Sequence, residues 1–186
     1  VLALFIFFII FYFKIELESY IVKKELRDYQ QESIKTVLTE LENGCDKQLL
    51  VMSMGLGKTF TAVKLEEAVK SKKTCWLTDD ERLLSQSAVA FVRDKFGDEL
   101  GNEIEEIGFV EYFRSKKHVG DDKCKLSLIK AEDFDISGDI VFCSVQTMWR
   151  RLDRLPQDLF DVMIIDEAHG FGSKTGFMVL EHFQTR

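Results

Sequence analysis

Short apolar runs alternate with longer amphipathic stretches along the chain from Lys14 onward. Four apolar runs bounded by polar or glycine residues predict buried strands at 48–52, 74–78, 140–144 and 162–165. Apolar residues at helical spacing predict three helices, which begin near Asp28, Lys58 and Glu81. Fully apolar strands that are separated by helices predict an α/β fold with a mainly parallel sheet covered on both faces.

The ends of the first helix carry local signals. Asp28 is predicted to cap it together with Gln31, and Asn43-Gly44 to end it. The segment 97–137 is charged and less regular, with a predicted strand at 107–112 and a predicted exposed loop at 120–123.

Composition narrows the class of protein. Hydrophobic residues make up 46% of the 186 positions, enough for a core, and the net charge of -7 argues against a surface coated in basic residues. This net charge does not exclude nucleic-acid binding, because a local track of Lys and Arg residues can bind nucleic acid on an acidic domain. The four cysteines form no Cys-x-x-Cys pair. They therefore predict reduced thiols, no disulfide partner, no structural metal and a location in the cytoplasm, or the nucleus in a eukaryote.

The N-terminal residues 1–13 are apolar and aromatic throughout. As a helix they would reach about 20 Å, against roughly 30 Å for a bilayer core. Three interpretations follow: the end of a membrane segment, a strand or helix packed on a neighbouring domain, or non-native translated sequence. The last two are favoured, so membrane association is not expected. We expect residues 1–20 to be a separate segment of uncertain role and 21–186 to form the domain.

A strand, a glycine loop and a helix meet at Met52 to Thr59, MSMGLGKT. Glycines let backbone N–H groups approach phosphate oxygens, and the helix adds the positive end of its dipole. Lys58 can reach the β and γ phosphates, and the Thr59 hydroxyl can bind Mg²⁺. The strict phosphate-loop pattern has glycine where this chain has Met52. The alternative is an ordinary glycine turn before a helix.

A second candidate is the strand that ends in Asp166-Glu167-Ala168-His169. Asp166 is suited to hold Mg²⁺, and Glu167 to orient and deprotonate an attacking water. A strand ending in an acidic turn is the alternative. Because both motifs follow apolar strands, and ligands of parallel sheets bind at the carboxyl ends of strands, the two motifs are expected to share one site.

Five segments occur in the order found in one family: 26–30, 52–59, 79–86, 144–148 and 166–169. Together they resemble the first RecA-like domain of superfamily 2 helicases, in particular the motor subunits of type I and type III restriction enzymes. The resemblance implies a RecA-like P-loop NTPase fold, a three-layer sandwich that is incomplete at the C-terminus after the 166–169 motif.

The resemblance also implies roles for individual residues. It assigns adenine recognition to Gln30, and implies that 79–86 and 144–148 lie near bound nucleic acid. His169 would link the nucleotide site to a later motif. The implied ligands are ATP and Mg²⁺, and the implied nucleotide-binding residues of the loop are Met54, Gly55, Leu56, Gly57, Lys58 and Thr59.

The same resemblance limits the expected activity. In the family a second RecA-like domain supplies an arginine finger, and loss of such an arginine costs about 10³-fold or more in turnover. We therefore expect this chain alone to bind ATP·Mg weakly and to hydrolyse it poorly. The expected partners are DNA, with RNA less favoured, and a second RecA-like domain. Two alternatives stay open: a nucleotide-binding or interaction module only, and another P-loop NTPase.

Overall fold

Strands and helices alternate along most of the chain in the computed structural model, which describes residues 5–12, 26–116, 119–120, 124–130 and 132–183. The helices are α1 Asp28–Glu42, α2 Lys58–Val69, α3 Glu81–Phe96, α4 Asp98–Ile107, α5 Phe109–Lys116, α6 Val145–Trp149 and α7 Lys174–Phe183. The strands are β1 Phe5–Tyr12, β2 Lys47–Ser53, β3 Thr74–Thr78, β4 Val119–Gly120, β5 Lys125–Lys130, β6 Asp133–Phe134, β7 Ile140–Ser144 and β8 Val162–Ile165. Short 3₁₀ helices cover Leu152–Arg154 and Ala168–Gly172.

One sheet contains all the described strands, in the order β2-β1-β8-β3-β7-β5-β4, with β6 paired to β5. Strand β3 pairs in parallel with β7 and β8, and β5 pairs in parallel with β7. Strand β1 is antiparallel to both β2 and β8, so β2 runs in the same direction as β8. The predicted α/β fold with a mainly parallel sheet is confirmed.

The N-terminal strand β1 lies inside this sheet. Its backbone pairs on one side with β2, where Ile9 lies opposite Leu49, and on the other side with β8, where Ile9 lies opposite Ile165. One interpretation of this segment was a strand or helix packed on a neighbouring domain. Residues 5–12 form a strand, but the strands that pair with it belong to this same sheet. No helix among the described residues has the length and apolar character needed to cross a membrane. The boundary at residue 20 stays a prediction.

The core has two halves because successive side chains of a strand point to opposite faces of the sheet. On one face Trp76 stacks on Phe142 with ring centroids 5.8 Å apart, beneath α1 to α5. On the other face Leu77 and Ile165 pack beneath α6 and α7. The result is the predicted three-layer sandwich. Trp76 is fully buried in this core, whereas Trp149 is 41% exposed.

The start of α1 differs from its prediction by one residue. Arg27 is the N-cap, and its backbone N–H donates to Gln30 Oε1 at 3.0 Å. Gln30, rather than Gln31, therefore closes the first turn, so the predicted Asp28 and Gln31 pair is wrong. The predicted end at Asn43-Gly44 is confirmed, with Gly44 at a φ of 86°.

The strand predicted at 107–112 is wrong. Helix α4 ends at Ile107, its C-cap Gly108 has a φ of 91°, and α5 begins at Phe109. The buried residues of α5 are Phe109, Val110, Tyr112 and Phe113. Their spacing covers one face of a helix, whereas a strand would bury alternate residues. In the predicted exposed loop, Gly120 belongs to β4 and residues 121–123 lie outside the described residues.

No disulfide joins the cysteines among the described residues. Cys75 and Cys143 lie in the core on neighbouring strands, where burial raises the pKa of both thiols. Buried thiols of raised pKa are poor nucleophiles and poor metal ligands, so these two cysteines act as small apolar core residues.

Two acidic side chains tie α2 to its surroundings. Asp94 of α3 forms an ion pair with the buried Lys64 of α2, in which Oδ1 and Nζ are 2.5 Å apart. This ion pair fixes the two helices against each other. Glu66 of α2 lies against the start of β3, where it accepts a hydrogen bond from Thr74 Oγ1 at 3.3 Å. Burial raises the pKa of Glu66 to about 7, although Lys95 and the Thr74 bond oppose this shift.

The raised pKa of Glu66 predicts a loss of stability with rising pH. The folded chain holds this proton up to about pH 7. The unfolded chain releases it near the ordinary glutamate value of roughly 4.3, so stability falls as pH rises between these values. Glu66→Gln should therefore raise the free energy of unfolding at pH 8, relative to the wild type, by up to about 3 kcal/mol.

Urea unfolding at pH 5 and pH 8 measures this difference. The gain of Glu66→Gln over the wild type should be larger at pH 8 than at pH 5. The exposed Glu40→Gln on α1 is the matched control and should follow the wild type at both pH values. An equal effect of Glu66→Gln at both pH values would show that this carboxyl does not titrate as described.

Candidate nucleotide-binding and hydrolysis site

The loops that follow four parallel strands meet at one edge of the sheet. The backbone N–H of Asp166 donates to the carbonyl of Leu77 at 2.9 Å, which places the end of β8 beside the end of β3. Thr78 at the end of β3 lies opposite Ser144 at the end of β7. The acidic motif, the segment 79–86 and the segment 144–148 therefore leave the sheet side by side.

The glycine loop between β2 and α2 uses left-handed backbone at two positions. Gly55 has a φ of 80° and Gly57 a φ of 75°, values that favour glycine. A residue with a side chain would be strained at either position. The exposed Met54 and Leu56 lie on either side of Gly55. Met52, which stands where the strict pattern has glycine, is a buried residue of β2. The departure from the pattern therefore lies in the strand and not in the glycine loop.

Gln30 lies against the glycine loop. Its Nε2 donates to the carbonyls of Leu56 and Gly57 at 3.2 and 3.4 Å. A Cβ added at Gly57 would lie 2.8 Å from this Nε2, so the Gln30 amide would have to shift, and the positive φ is what favours glycine at residue 57. Beside these groups is a cavity of about 200 Å³ lined by Arg27, Gln30, Gly55, Leu56, Gly57 and Phe60. The cavity suits part of a nucleotide, and the adenine role of Gln30 stays a prediction.

Lys58 and Glu167 form an ion pair across the sheet edge. Lys58 Nζ donates to Glu167 Oε1 at 3.0 Å, and the two side chains are only 9% and 15% exposed. Lys58 is the first residue of α2, after β2, whereas Glu167 follows β8, and β1 separates these two strands in the sheet. The two sequence-predicted motifs therefore come together in space.

Glu167 is held in an unusual backbone conformation. Its φ of 60° and ψ of 50° are left-handed, which costs a non-glycine residue roughly 1–2 kcal/mol. Its second oxygen, Oε2, is buried and makes no hydrogen bond, although Nδ1 of the half-exposed His169 lies 3.3 Å away. Residue 167 therefore combines a strained backbone with a carboxylate oxygen that has no hydrogen-bond partner, and such an oxygen can bind a cation.

Asp166 is 4% exposed and is held by a residue that the sequence analysis did not identify. Ser87 Oγ of α3 donates to Asp166 Oδ2 at 2.9 Å. Burial raises the pKa of Asp166; the Ser87 bond and Lys58 oppose the shift, and Glu167 adds to it. Ser87 lies on the same helical face as Leu84, Ala88 and Phe91, and a polar residue on an apolar face was the available signal.

The donor set at this edge fits a magnesium ion. Thr59 supplies a hydroxyl at the start of α2, and Asp166 and Glu167 supply carboxylate oxygens at the end of β8. Oxygen donors of this kind are those that Mg²⁺ prefers. The buried Glu167 Oε2, which makes no hydrogen bond, is a further oxygen that could bind a cation. The assignments of Thr59 and Asp166 as metal ligands stay predictions.

The segments expected near nucleic acid flank the site. Helix α3 is capped by Asp80, whose Oδ1 accepts from the Leu83 N–H at 2.9 Å, and α6 is capped by Ser144. A groove of about 730 Å³ runs between α3 and the α4–α5 pair. Its rim includes Arg82, Ser85 and Gln86, and its floor includes Val89, Ile104 and Phe109.

The chain is similar to one protein family and to two proteins that have names. A family model described as type III restriction enzyme, res subunit, matches residues 23–186. The Saccharomyces cerevisiae protein IRC3, provisionally named an ATP-dependent helicase, is 26% identical over 160 residues, which are 86% of this chain and 21% of that protein. The Escherichia coli type I restriction enzyme EcoKI endonuclease subunit is 27% identical over 153 residues, which are 77% of this chain and 11% of that protein.

The chain thus spans about a fifth and about a tenth of these two relatives. The resemblance to superfamily 2 motor domains, inferred from five short segments, is confirmed by a family match that covers nearly the whole chain. With the glycine loop, the acidic motif and the mainly parallel sheet in place, the chain belongs to the family of type III restriction enzyme res subunits.

Proposed function

We propose that this chain is the ATP-binding and ATP-hydrolysing domain of a nucleic-acid-dependent motor, a helicase or DNA translocase. The observation that carries the proposal is the 3.0 Å contact between Lys58 and Glu167. A cation from the glycine loop and a carboxylate from the acidic motif meet at one sheet edge, as a single triphosphate and its metal ion require.

The chain's own residues divide the work. The N–H groups of the glycine loop and the start of α2 bind phosphate oxygens, and Lys58 moves from Glu167 to the phosphates. Thr59 and Asp166 would hold Mg²⁺, which neutralises phosphate charge when bound. Glu167, freed from Lys58, accepts a proton from the attacking water. His169, 3.3 Å from Glu167, limits the positions open to that carboxylate.

DNA is the proposed track, with RNA less favoured. The relatives' names include a helicase and a restriction enzyme subunit, which supports a nucleic-acid substrate. The starts of α3 and α6 leave the sheet side by side, because Thr78 and Ser144 are register partners, and Arg82 and Gln86 are exposed on α3. We propose that the nucleic-acid backbone crosses these two helix starts, with a cytoplasmic setting.

Full turnover is proposed to need a second RecA-like domain that contributes an arginine. The chain by itself then binds nucleotide and hydrolyses it slowly. Binding without any turnover, even with such a domain added, would favour the alternative of a nucleotide-binding module. Turnover that nucleic acid does not stimulate would favour another P-loop NTPase.

Lys58→Ala should weaken ATP·Mg binding by about 10-fold to 100-fold, because a charge-assisted hydrogen bond to phosphate contributes roughly 1.5–3 kcal/mol. Calorimetric titration of the chain measures this loss. The matched control is Lys35→Ala, an exposed lysine of α1, which should bind as the wild type does. Equal binding by Lys58→Ala and Lys35→Ala would remove the phosphate-loop assignment.

Glu167→Gln should change binding and hydrolysis in opposite directions. Loss of the ion pair frees Lys58, so a non-hydrolysable ATP analogue should bind several-fold more tightly. Loss of the base should lower the slow hydrolysis by about 100-fold, or to background. Titration with the analogue and phosphate release in single turnover measure the two effects. Unchanged phosphate release would exclude Glu167 as the base.

Ser87→Ala should weaken the affinity of the site for magnesium without altering metal-free binding. The Ser87 hydroxyl orients the Asp166 carboxylate, so its loss should raise the Mg²⁺ concentration needed for half-maximal ATP binding several-fold. Ser85→Ala, on the side of α3 that faces the groove, is the matched control. An unchanged Mg²⁺ requirement in Ser87→Ala would show that this bond does not position the metal ligand.

A further inference from the structure

A tyrosine hydroxyl reaches the glycine loop from the first turn of α1. Tyr29 Oη donates to the carbonyl of Leu56 at 3.0 Å, and Arg27 Nη1 donates to that same Oη at 3.2 Å. Because Oη accepts from Arg27, its own hydrogen is available for Leu56. The proposed chemistry of the site uses none of these contacts.

The Leu56 carbonyl lies in the part of the loop where the backbone on both sides is formed by glycine. It lies between Gly55 and Gly57, which both have positive φ and the widest backbone freedom in the loop. The Leu56 carbonyl receives two donors from α1, Tyr29 Oη at 3.0 Å and Gln30 Nε2 at 3.2 Å, which together use its two lone pairs. The peptide between residues 56 and 57 is therefore held from one side.

Holding this carbonyl also sets the direction of an amide. The peptide bond is planar and trans, so the Leu56 carbonyl and the Gly57 N–H point in opposite directions. A carbonyl fixed toward α1 directs the Gly57 N–H away from α1. Inward-pointing N–H groups of a glycine loop are the groups that bind phosphate oxygens. Rotation of this one peptide would replace a donor with a carbonyl oxygen, which repels phosphate.

We infer that Tyr29 is a positioning residue for the phosphate loop, whose hydroxyl keeps the 56–57 peptide oriented for phosphate binding. This inference rests on the proposed nucleotide-binding function and assigns Tyr29 to the phosphate part of the ligand rather than to its base. A single neutral hydrogen bond at a half-exposed residue has a modest effect, so its loss should weaken binding about threefold to tenfold.

Tyr29→Phe removes only the hydroxyl and tests the inference. The probes are ATP, GTP and inorganic tripolyphosphate, each with Mg²⁺, titrated into the wild-type chain and the variant. Tyr29→Phe should weaken all of them by the same factor, with an unchanged melting temperature. Tyr112→Phe is the matched control, because its hydroxyl contacts Glu103 at 3.5 Å and belongs to α5. The control should bind every probe as the wild type does.

Three outcomes would overturn the inference. Unchanged binding of every probe by Tyr29→Phe would show that the loop keeps its orientation without the hydroxyl. A loss confined to ATP would place Tyr29 at the base. A wild-type chain that binds none of the probes would reject the proposed function itself, which separates the two failures. If tripolyphosphate binds the wild type too weakly to measure, the equality of the ATP and GTP losses decides.

Discussion

The attraction between Lys58 and Glu167 is the interaction on which the site depends. It joins a loop that follows β2 to a loop that follows β8, and it does so where both side chains are largely shielded from water. In such surroundings an unpaired charge is costly, so each group keeps the other in place until a stronger partner arrives. The proposed ligand, a triphosphate with its metal ion, would be such a partner, since it would offer oxygen anions to the lysine and a cation to the carboxylates.

Parallel strands make this meeting possible, and the antiparallel β1 does not prevent it. Because β2, β8, β3 and β7 run in one direction, their carboxyl ends share an edge, and four of the five segments singled out for chemistry start there. Strand β1 pairs with β2 on one side and β8 on the other, so it sets the spacing between the glycine loop and the acidic motif. The site therefore depends on the sheet as a whole.

Sequence reasoning predicted those parts of the fold that local pattern determines. The strands at 74–78, 140–144 and 162–165 and the helix at 81–96 match because their apolar periods are strong. The strand expected at 107–112 is a helix, because a glycine break hid the helical spacing of Phe109 and Phe113.

The candidate site was likewise predicted where local pattern determines it and missed where distant residues meet. The order of the motifs and their places at strand ends indicated that Lys58 and Glu167 would meet, and they do. The bonds from Ser87 to Asp166 and from Tyr29 to Leu56 join residues 79 and 27 positions apart. Pairings of that kind arise only when helices pack on a sheet.

Helix α2, which begins at Lys58, is bound to α3 through the largely buried Lys64 and Asp94, and α3 holds Asp166 through Ser87. A displacement of α3 would therefore be transmitted both to Lys58, the proposed phosphate-binding residue, and to Asp166, the proposed metal ligand.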